Sequence, residues 1–153
     1  FASAGAGSVM SMWLGPDGGW AVGASSTMYF ASAGAGSVMS MWLGPDGGWA
    51  VGASGAIFGL FGAWLFVAWR MRHSPGGRAM FNQLLILMAI NVVLPFLVPG
   101  IDWLGHVGGF VGGTAIAALW SVFAVGRTNA RVVRTAIGAG ALAVVIAAAV
   151  VIV

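Results

Sequence analysis

Two residues in this 153-residue chain could perform nucleophilic and acid–base chemistry inside an otherwise apolar sequence: Ser54 and His106. The serine lies in the segment GASGAIFGLFGAW and the histidine in the segment IDWLGHVGGFVGG, so glycines surround both. A histidine within a hydrophobic span is costly, and it usually marks a functional site or a buried partner. The pair therefore predicts a serine nucleophile whose hydroxyl gives its proton to an imidazole base.

The composition indicates a membrane protein. Charged residues make up 6% of the chain and hydrophobic residues 60%, whereas about 25% of the residues in soluble domains are charged. The length allows roughly five membrane spans of about 20 residues each. The chain has no cysteine, which excludes disulfides and a thiolate nucleophile. Its six arginines form two short clusters and no basic face, so nucleic acid is not an expected partner.

Clusters of glycine, proline and arginine divide the chain into predicted helices. From residue 29 onward we expect five helices, over about 29–43, 51–69, 79–98, 103–125 and 132–153. Asp102 is the expected N-cap of the helix that carries His106. The predicted fold class is an all-α, polytopic bundle of transmembrane helices.

Charge and interfacial tryptophans set the expected orientation of this bundle. The arginine clusters at residues 70–78 and 127–134 fall on the same side, which the positive-inside rule makes cytoplasmic. Ser54 and His106 then lie at similar depth near the outer ends of their helices. Heavy use of Ala, Gly, Val and Arg without any Lys favours a bacterial source. The expected location is therefore a bacterial inner membrane, with the site near its outer face.

An internal repeat sets the N-terminal part of the chain apart. Residues 1–25 are identical to residues 30–54. Only the second copy continues from its last serine into a glycine and a long apolar helix, whereas Ser25 is followed by Ser26. If both copies crossed the membrane, their identical GPDGG loops would face opposite sides. We therefore expect the first copy to have no role and to pack poorly.

Small residues would allow the serine helix and the histidine helix to approach each other. The two helices carry glycines at intervals of four residues: Gly55, Gly59, Gly105, Gly109 and Gly113. Faces of this kind permit close packing of membrane helices, and the simpler interpretation is that they serve packing alone. Because the two reactive residues lie at the outer ends of these faces, close packing would also bring the hydroxyl within reach of the imidazole.

Together these motifs resemble the rhomboid family of intramembrane serine proteases. That family carries GxSG at the start of one helix and a histidine followed by two glycines in a later helix. The chain has GASG at residues 52–55 and HVGG at residues 106–109. Phe58, Asn91 and the run PGID at residues 99–102 also match. The resemblance covers about residues 29–125, so residues 127–153 are expected to form an additional C-terminal helix.

The resemblance implies a Ser-His dyad without an acidic third member. Ser54 would attack a substrate carbonyl, and His106 would take its proton and pass it to the leaving amine. Phe58 would pack against the imidazole, while Gly52 and Gly55 would support the nucleophile and the oxyanion site. The expected substrates are single-span membrane proteins in the lipid bilayer. No metal and no cofactor are implied.

The chain also departs from the family pattern. Family members usually carry two earlier helices, with a Trp-Arg loop and a His/Asn pair that help to form the oxyanion hole, and this chain has no counterpart of them. We therefore expect residues 30–126 to be a partial catalytic core. The duplicated segment at residues 1–29 precedes it, and its first copy is expected to pack poorly or to occupy the space that the missing helices would fill. Because the loss of one oxyanion donor costs ~2.7–4 kcal/mol, this chain alone is expected to be inactive, whereas a full-length form that carries the two earlier helices is expected to be an active protease.

Two other functions remain open. A catalytically dead relative would bind membrane proteins without cleaving them, although such proteins have usually lost the serine or the histidine that this chain retains. A small transporter or channel could use Ser54 and His106 as coordinating or proton-relay groups. That function would need more ionisable or amide groups within the membrane than His106 and Asn91 provide.

Overall fold

The computed structural model describes residues 22–44, 53–98, 100–124 and 128–152. The secondary structure of this part of the chain consists of five helices: α1 (Val22–Leu43), α2 (Ala53–Arg70), α3 (Pro75–Leu97), α4 (Trp103–Phe123) and α5 (Ala130–Ile152). The predicted all-helical class is confirmed. Four of these helices, α2 to α5, are long and apolar enough to cross a membrane.

Helix α1 lies at the centre of the bundle, in contact with α2, α4 and α5. Its many glycines and serines leave little side-chain volume, so neighbouring helices approach closely; on the α5 side, Val145 lies against Gly34. Deeper along these interfaces the buried side chains form one apolar cluster. The cluster consists of Met28, Ala31, Ala63, Ile116, Ala117 and Trp120.

Helices α2 and α4 run parallel, which defines the two ends of the bundle. Gly55 of α2 lies beside Gly105 of α4 at one end, which we call the serine–histidine end. At the other end the Arg70 guanidinium donates a hydrogen bond to the Ser121 hydroxyl, at 3.1 Å. We call this the arginine end. Helix α1 runs antiparallel to α2 and α4.

The start of α1 differs from the prediction. The sequence predicted a helix from about residue 29, whereas α1 begins at Val22 and crosses the predicted boundary between residues 29 and 30. Residues 22–28 contain no proline, and Met28 is buried in the apolar cluster, so tertiary packing extends the helix toward the N-terminus. The prediction that the first repeat copy packs poorly concerns mainly residues 1–21, which lie outside the described residues.

The start of α3 also differs from the prediction. The sequence predicted a start near residue 79, with Ser74 and Pro75 in the preceding turn, but α3 begins at Pro75. The Ser74 hydroxyl accepts a hydrogen bond from the Gly77 N–H, at 3.0 Å, and so caps the helix. Proline is well tolerated in the first turn because its missing N–H would have no partner there. The segment from Ser74 to Gly77, which the sequence predicted to be a turn, is therefore the start of α3.

Candidate active site

The interface between α2 and α4 is a seam of glycine backbones. A β-carbon at Gly109 would lie only 2.7 Å from the carbonyl carbon of Gly55 and 2.8 Å from its Cα. A β-carbon at Gly113 would meet the backbone of Gly59 in the same way. Contacts this close exclude any larger residue unless the helices move apart. The seam therefore holds the starts of α2 and α4 in a fixed relation to each other.

Ser54 is the second residue of α2, and its side chain is exposed. The backbone N–H groups in the first turn of a helix have no intrahelical acceptors. The amides of Ser54 and Gly55 can therefore bind an oxygen anion at the positive end of the helix dipole. Gly52, which the sequence assigned to the site, belongs to residues 45–52 and lies outside the described residues.

His106 lies in the first turn of α4 and is half-buried. Its ring stacks on the ring of Phe58, with centroids 4.1 Å apart and planes at 10°. Phe58 is buried, and it follows Ser54 by four residues on α2. Residues four apart on a helix lie on the same face, one above the other. The structure therefore brings the imidazole to the face of α2 that carries Ser54.

The His106 ring is held by packing, and no hydrogen bond to its side chain is found in the described part of the chain. Within the described residues no hydrogen bond joins Ser54 to His106, and the Nδ1 atom of His106 is buried without a hydrogen-bond partner. The stack on Phe58 holds the ring through its face and engages neither nitrogen. Catalytic hydrogen bonds are often long in unliganded sites and shorten when the substrate binds.

Asp102 caps the histidine helix, as the sequence predicted. Its Oδ1 accepts a hydrogen bond from the Gly105 N–H at 2.9 Å, and its backbone carbonyl accepts one from the His106 N–H at 3.3 Å. A β-carbon at Gly105 would collide with the capping carboxylate. The cap therefore fixes the first turn of α4, and with it the backbone position of the histidine.

Removal of this cap is expected to destabilise the protein. The substitution Asp102→Ala should lower the free energy of unfolding by ~0.5–2 kcal/mol, whereas Asp102→Asn retains a capping oxygen and should leave that free energy nearly unchanged. Thermal unfolding midpoints of the two variants in one detergent measure the difference. Equal losses for alanine and asparagine would show that the negative charge, and not the cap, is what stabilises α4.

Sequence reasoning missed the contribution of α1 to the site. A β-carbon at Gly36 would collide with the Gly105 carbonyl oxygen and lie 3.4 Å from the Cα of Gly55. Three helix backbones therefore meet directly beside His106. The AGAG sequence at residues 33–36 is the signal that could have indicated this contact, because small residues at this spacing allow close helix packing.

One comparison with known proteins identifies the family. The family model described as Rhomboid domain matches residues 26–123, which is more than half of the chain. The match runs from the first turns of α1 to the end of α4, so it contains Ser54, Phe58 and His106 and leaves α5 outside. No curated protein and no solved structure matches the chain. Four helices in the described part of the chain can span a membrane, and the chain is an integral membrane protein that belongs to the rhomboid family.

Proposed function

We propose that this protein is an intramembrane serine endopeptidase that cleaves single-span membrane proteins. The observation that carries the proposal is the stack of His106 on Phe58, at 4.1 Å. This stack brings the imidazole base to the face of α2 that carries Ser54. The backbone amides of Ser54 and Gly55 can bind an oxyanion. Membership of the rhomboid family supports the same reaction class.

The proposed reaction begins when Ser54 Oγ attacks the carbonyl carbon of the scissile peptide bond. His106 accepts the hydroxyl proton during the attack, and the carbonyl oxygen becomes an oxyanion. The tetrahedral intermediate collapses to an acyl-serine ester as the imidazolium gives the proton to the leaving amine. A water molecule, deprotonated by His106, then hydrolyses the ester and regenerates the serine.

The first turn of α2 would stabilise the oxyanion. The amides of Ser54 and Gly55 are oriented along the axis of an 18-residue helix, α2. Preorganised donors of this kind lower the barrier because they need no reorganisation as charge develops. Ser54 itself is exposed at the start of α2, whereas Gly55 beside it is packed against α4.

Phe58 has a specific role in this scheme. Its ring lies parallel to the imidazole, so it restricts the histidine rotamer and attracts the imidazolium that forms in the transition state.

The substitution Phe58→Leu keeps an apolar side chain but removes the stack, and should lower kcat about 2- to 10-fold, as expected for an aromatic pair worth ~0.5–1.5 kcal/mol. Phe58→Tyr should retain most of the activity. Equal kcat values for leucine, tyrosine and the wild type would contradict this role.

The proposed location is the inner membrane of a bacterium, with the site near its outer face. The arginine end of the bundle would be cytoplasmic, because short loops rich in arginine stay on that side. Ser54 and His106 lie at the opposite end of α2 and α4. We propose that α5, which packs along α1, is an additional helix outside the catalytic core.

Cleavage of a single-span substrate in proteoliposomes tests the proposed function. The full-length wild-type protein is expected to cleave the substrate, Ser54→Ala to show no cleavage, and Ser25→Ala to match the wild type. Ser25 is the matched control because it ends the other copy of the repeat. Binding without cleavage by the wild type would favour a catalytically dead relative. A change in solute flux without cleavage would favour a transporter, and cleavage by Ser54→Ala would exclude the proposed nucleophile.

A further inference from the structure

The arginine end carries a strong and locally uncompensated positive charge. Arg70, Arg72 and Arg78 lie in or beside the turn between α2 and α3. Among the described residues the one acidic side chain is Asp102, which lies at the opposite end of the bundle. No carboxylate in the described part of the chain therefore neutralises these arginines. An anionic partner is the natural counter-charge for such a cluster.

Two of these guanidinium groups are held in defined positions. Arg70 Nη1 donates to the Ser121 hydroxyl at 3.1 Å, which connects the ends of α2 and α4. Arg72 Nη1 donates to the Trp69 carbonyl at 2.9 Å, and its guanidinium lies 4.4 Å from the centre of the Trp69 ring. A guanidinium has five N–H donors in a planar fork, so both groups retain donors for another acceptor. That fork matches the geometry of a phosphate group.

The surroundings of the arginines favour a lipid over a soluble anion. Arg70 is the last residue of the membrane-spanning helix α2, so its guanidinium lies where an apolar surface ends. Exposed apolar residues adjoin Arg70 and its hydrogen-bond partner Ser121 in the sequence: Trp69, Val122 and Phe123. Helix α3 packs mainly against α2 and leaves most of its own apolar surface uncovered. A ligand with both a phosphate and acyl chains would satisfy the charge and cover this apolar surface together.

We propose that the arginine end binds the phosphate of an anionic phospholipid through Arg70, Arg72 and Arg78. The acyl chains lie along the exposed apolar residues beside Trp69 and Phe123. Because Arg70 connects α2 to α4, the bound lipid also stabilises the helix pair that carries the serine and the histidine. Lipid binding does not depend on the proposed proteolytic function, so it can be measured in a protein that cleaves nothing.

Native mass spectrometry of the full-length protein in detergent tests the proposal. Phosphatidylglycerol is titrated against the wild type, with phosphatidylcholine and inorganic phosphate as the other two ligands. The wild type is expected to bind phosphatidylglycerol preferentially. An arginine near an anionic lipid contributes enough affinity for Arg72→Gln to weaken that binding about 5-fold. Arg78→Gln, whose side chain is exposed, should weaken it similarly without disturbing the fold.

Arg131→Gln is the matched control, because it removes one charge from the start of α5 at the same end of the bundle. It should weaken phosphatidylglycerol binding much less than Arg72→Gln does, because α5 packs against α1 and α4 and not mainly beside the turn between α2 and α3. Equal losses for Arg72→Gln, Arg78→Gln and Arg131→Gln would overturn the proposal, since they would indicate general surface charge. Equal binding of phosphatidylglycerol and phosphatidylcholine would overturn it too. Displacement of phosphatidylglycerol by inorganic phosphate at equal concentration would also overturn the proposal, because the ligand would then be a soluble anion.

Discussion

Replacement of His106 with alanine is expected to lower kcat for substrate cleavage about 100- to 10,000-fold, the usual contribution of a general base. Without the imidazole, the Ser54 hydroxyl remains protonated near neutral pH and is a poor nucleophile. The substrate should still bind, because the substitution removes one half-buried ring and leaves the exposed apolar residues of the helices unchanged. Initial cleavage rates in proteoliposomes, at several substrate densities, measure this effect.

His73 provides the matched control, since it is the only other histidine in the chain. It lies exposed in the turn between α2 and α3, at the arginine end. His73→Ala should therefore cleave at the wild-type rate. If His106→Ala also cleaves at nearly the wild-type rate, with the same thermal unfolding midpoint, then the imidazole is not the base.

The second large effect is expected for a single methyl group in the glycine seam. The substitution Gly109→Ala adds a β-carbon that must overlap the backbone of Gly55. Ordinary overpacking costs ~1–3 kcal/mol, and we expect a loss at or above the upper end of this range because a helix backbone cannot rotate away as a side chain can. The start of α4 should move away from α2 and carry His106 with it. Both the thermal unfolding midpoint and the cleavage rate should fall sharply.

Gly140→Ala is the control for the seam, because it makes the same chemical change inside another helix, α5. A β-carbon at Gly140 would meet no atom within 4 Å. Since alanine is a better helix former than glycine, this variant should be as stable as the wild type or more stable by up to ~1 kcal/mol. Equal unfolding midpoints for Gly109→Ala and Gly140→Ala would show that the seam is not closely packed.

Much of the candidate site could be predicted from the sequence because its residues follow helical spacing. Ser54 and Phe58 are four apart, and so are the seam glycines, so their common faces followed from the period of the helix. The Asp102 cap was predictable because an aspartate followed the last proline–glycine turn before the histidine helix. The contribution of Gly36 was not predictable, because its contacts with Gly55 and Gly105 depend on which helices become neighbours.

The order of the helices in the bundle could not be predicted from hydropathy. Helix α1 is central although four other helices are the more apolar candidates for membrane spans. The close contacts here depend on backbone shape, since small residues on α1 allow α2, α4 and α5 to approach. Hydropathy does not record shape. The early start of α1 was missed for a related reason, because the burial of Met28 is a tertiary effect.

The position of a covalent adduct tests whether Ser54 is the nucleophile. The full-length protein is incubated in the membrane with a serine-directed fluorophosphonate and digested, and the modified peptide is sequenced by mass spectrometry. Although residues 1–25 repeat residues 30–54, the two serines are distinguishable because Ser54 is followed by glycine and Ser25 by serine. We predict a single phosphonylated residue, Ser54. An adduct on Ser25 or on another serine, in a protein that cleaves its substrate, would contradict the proposed mechanism.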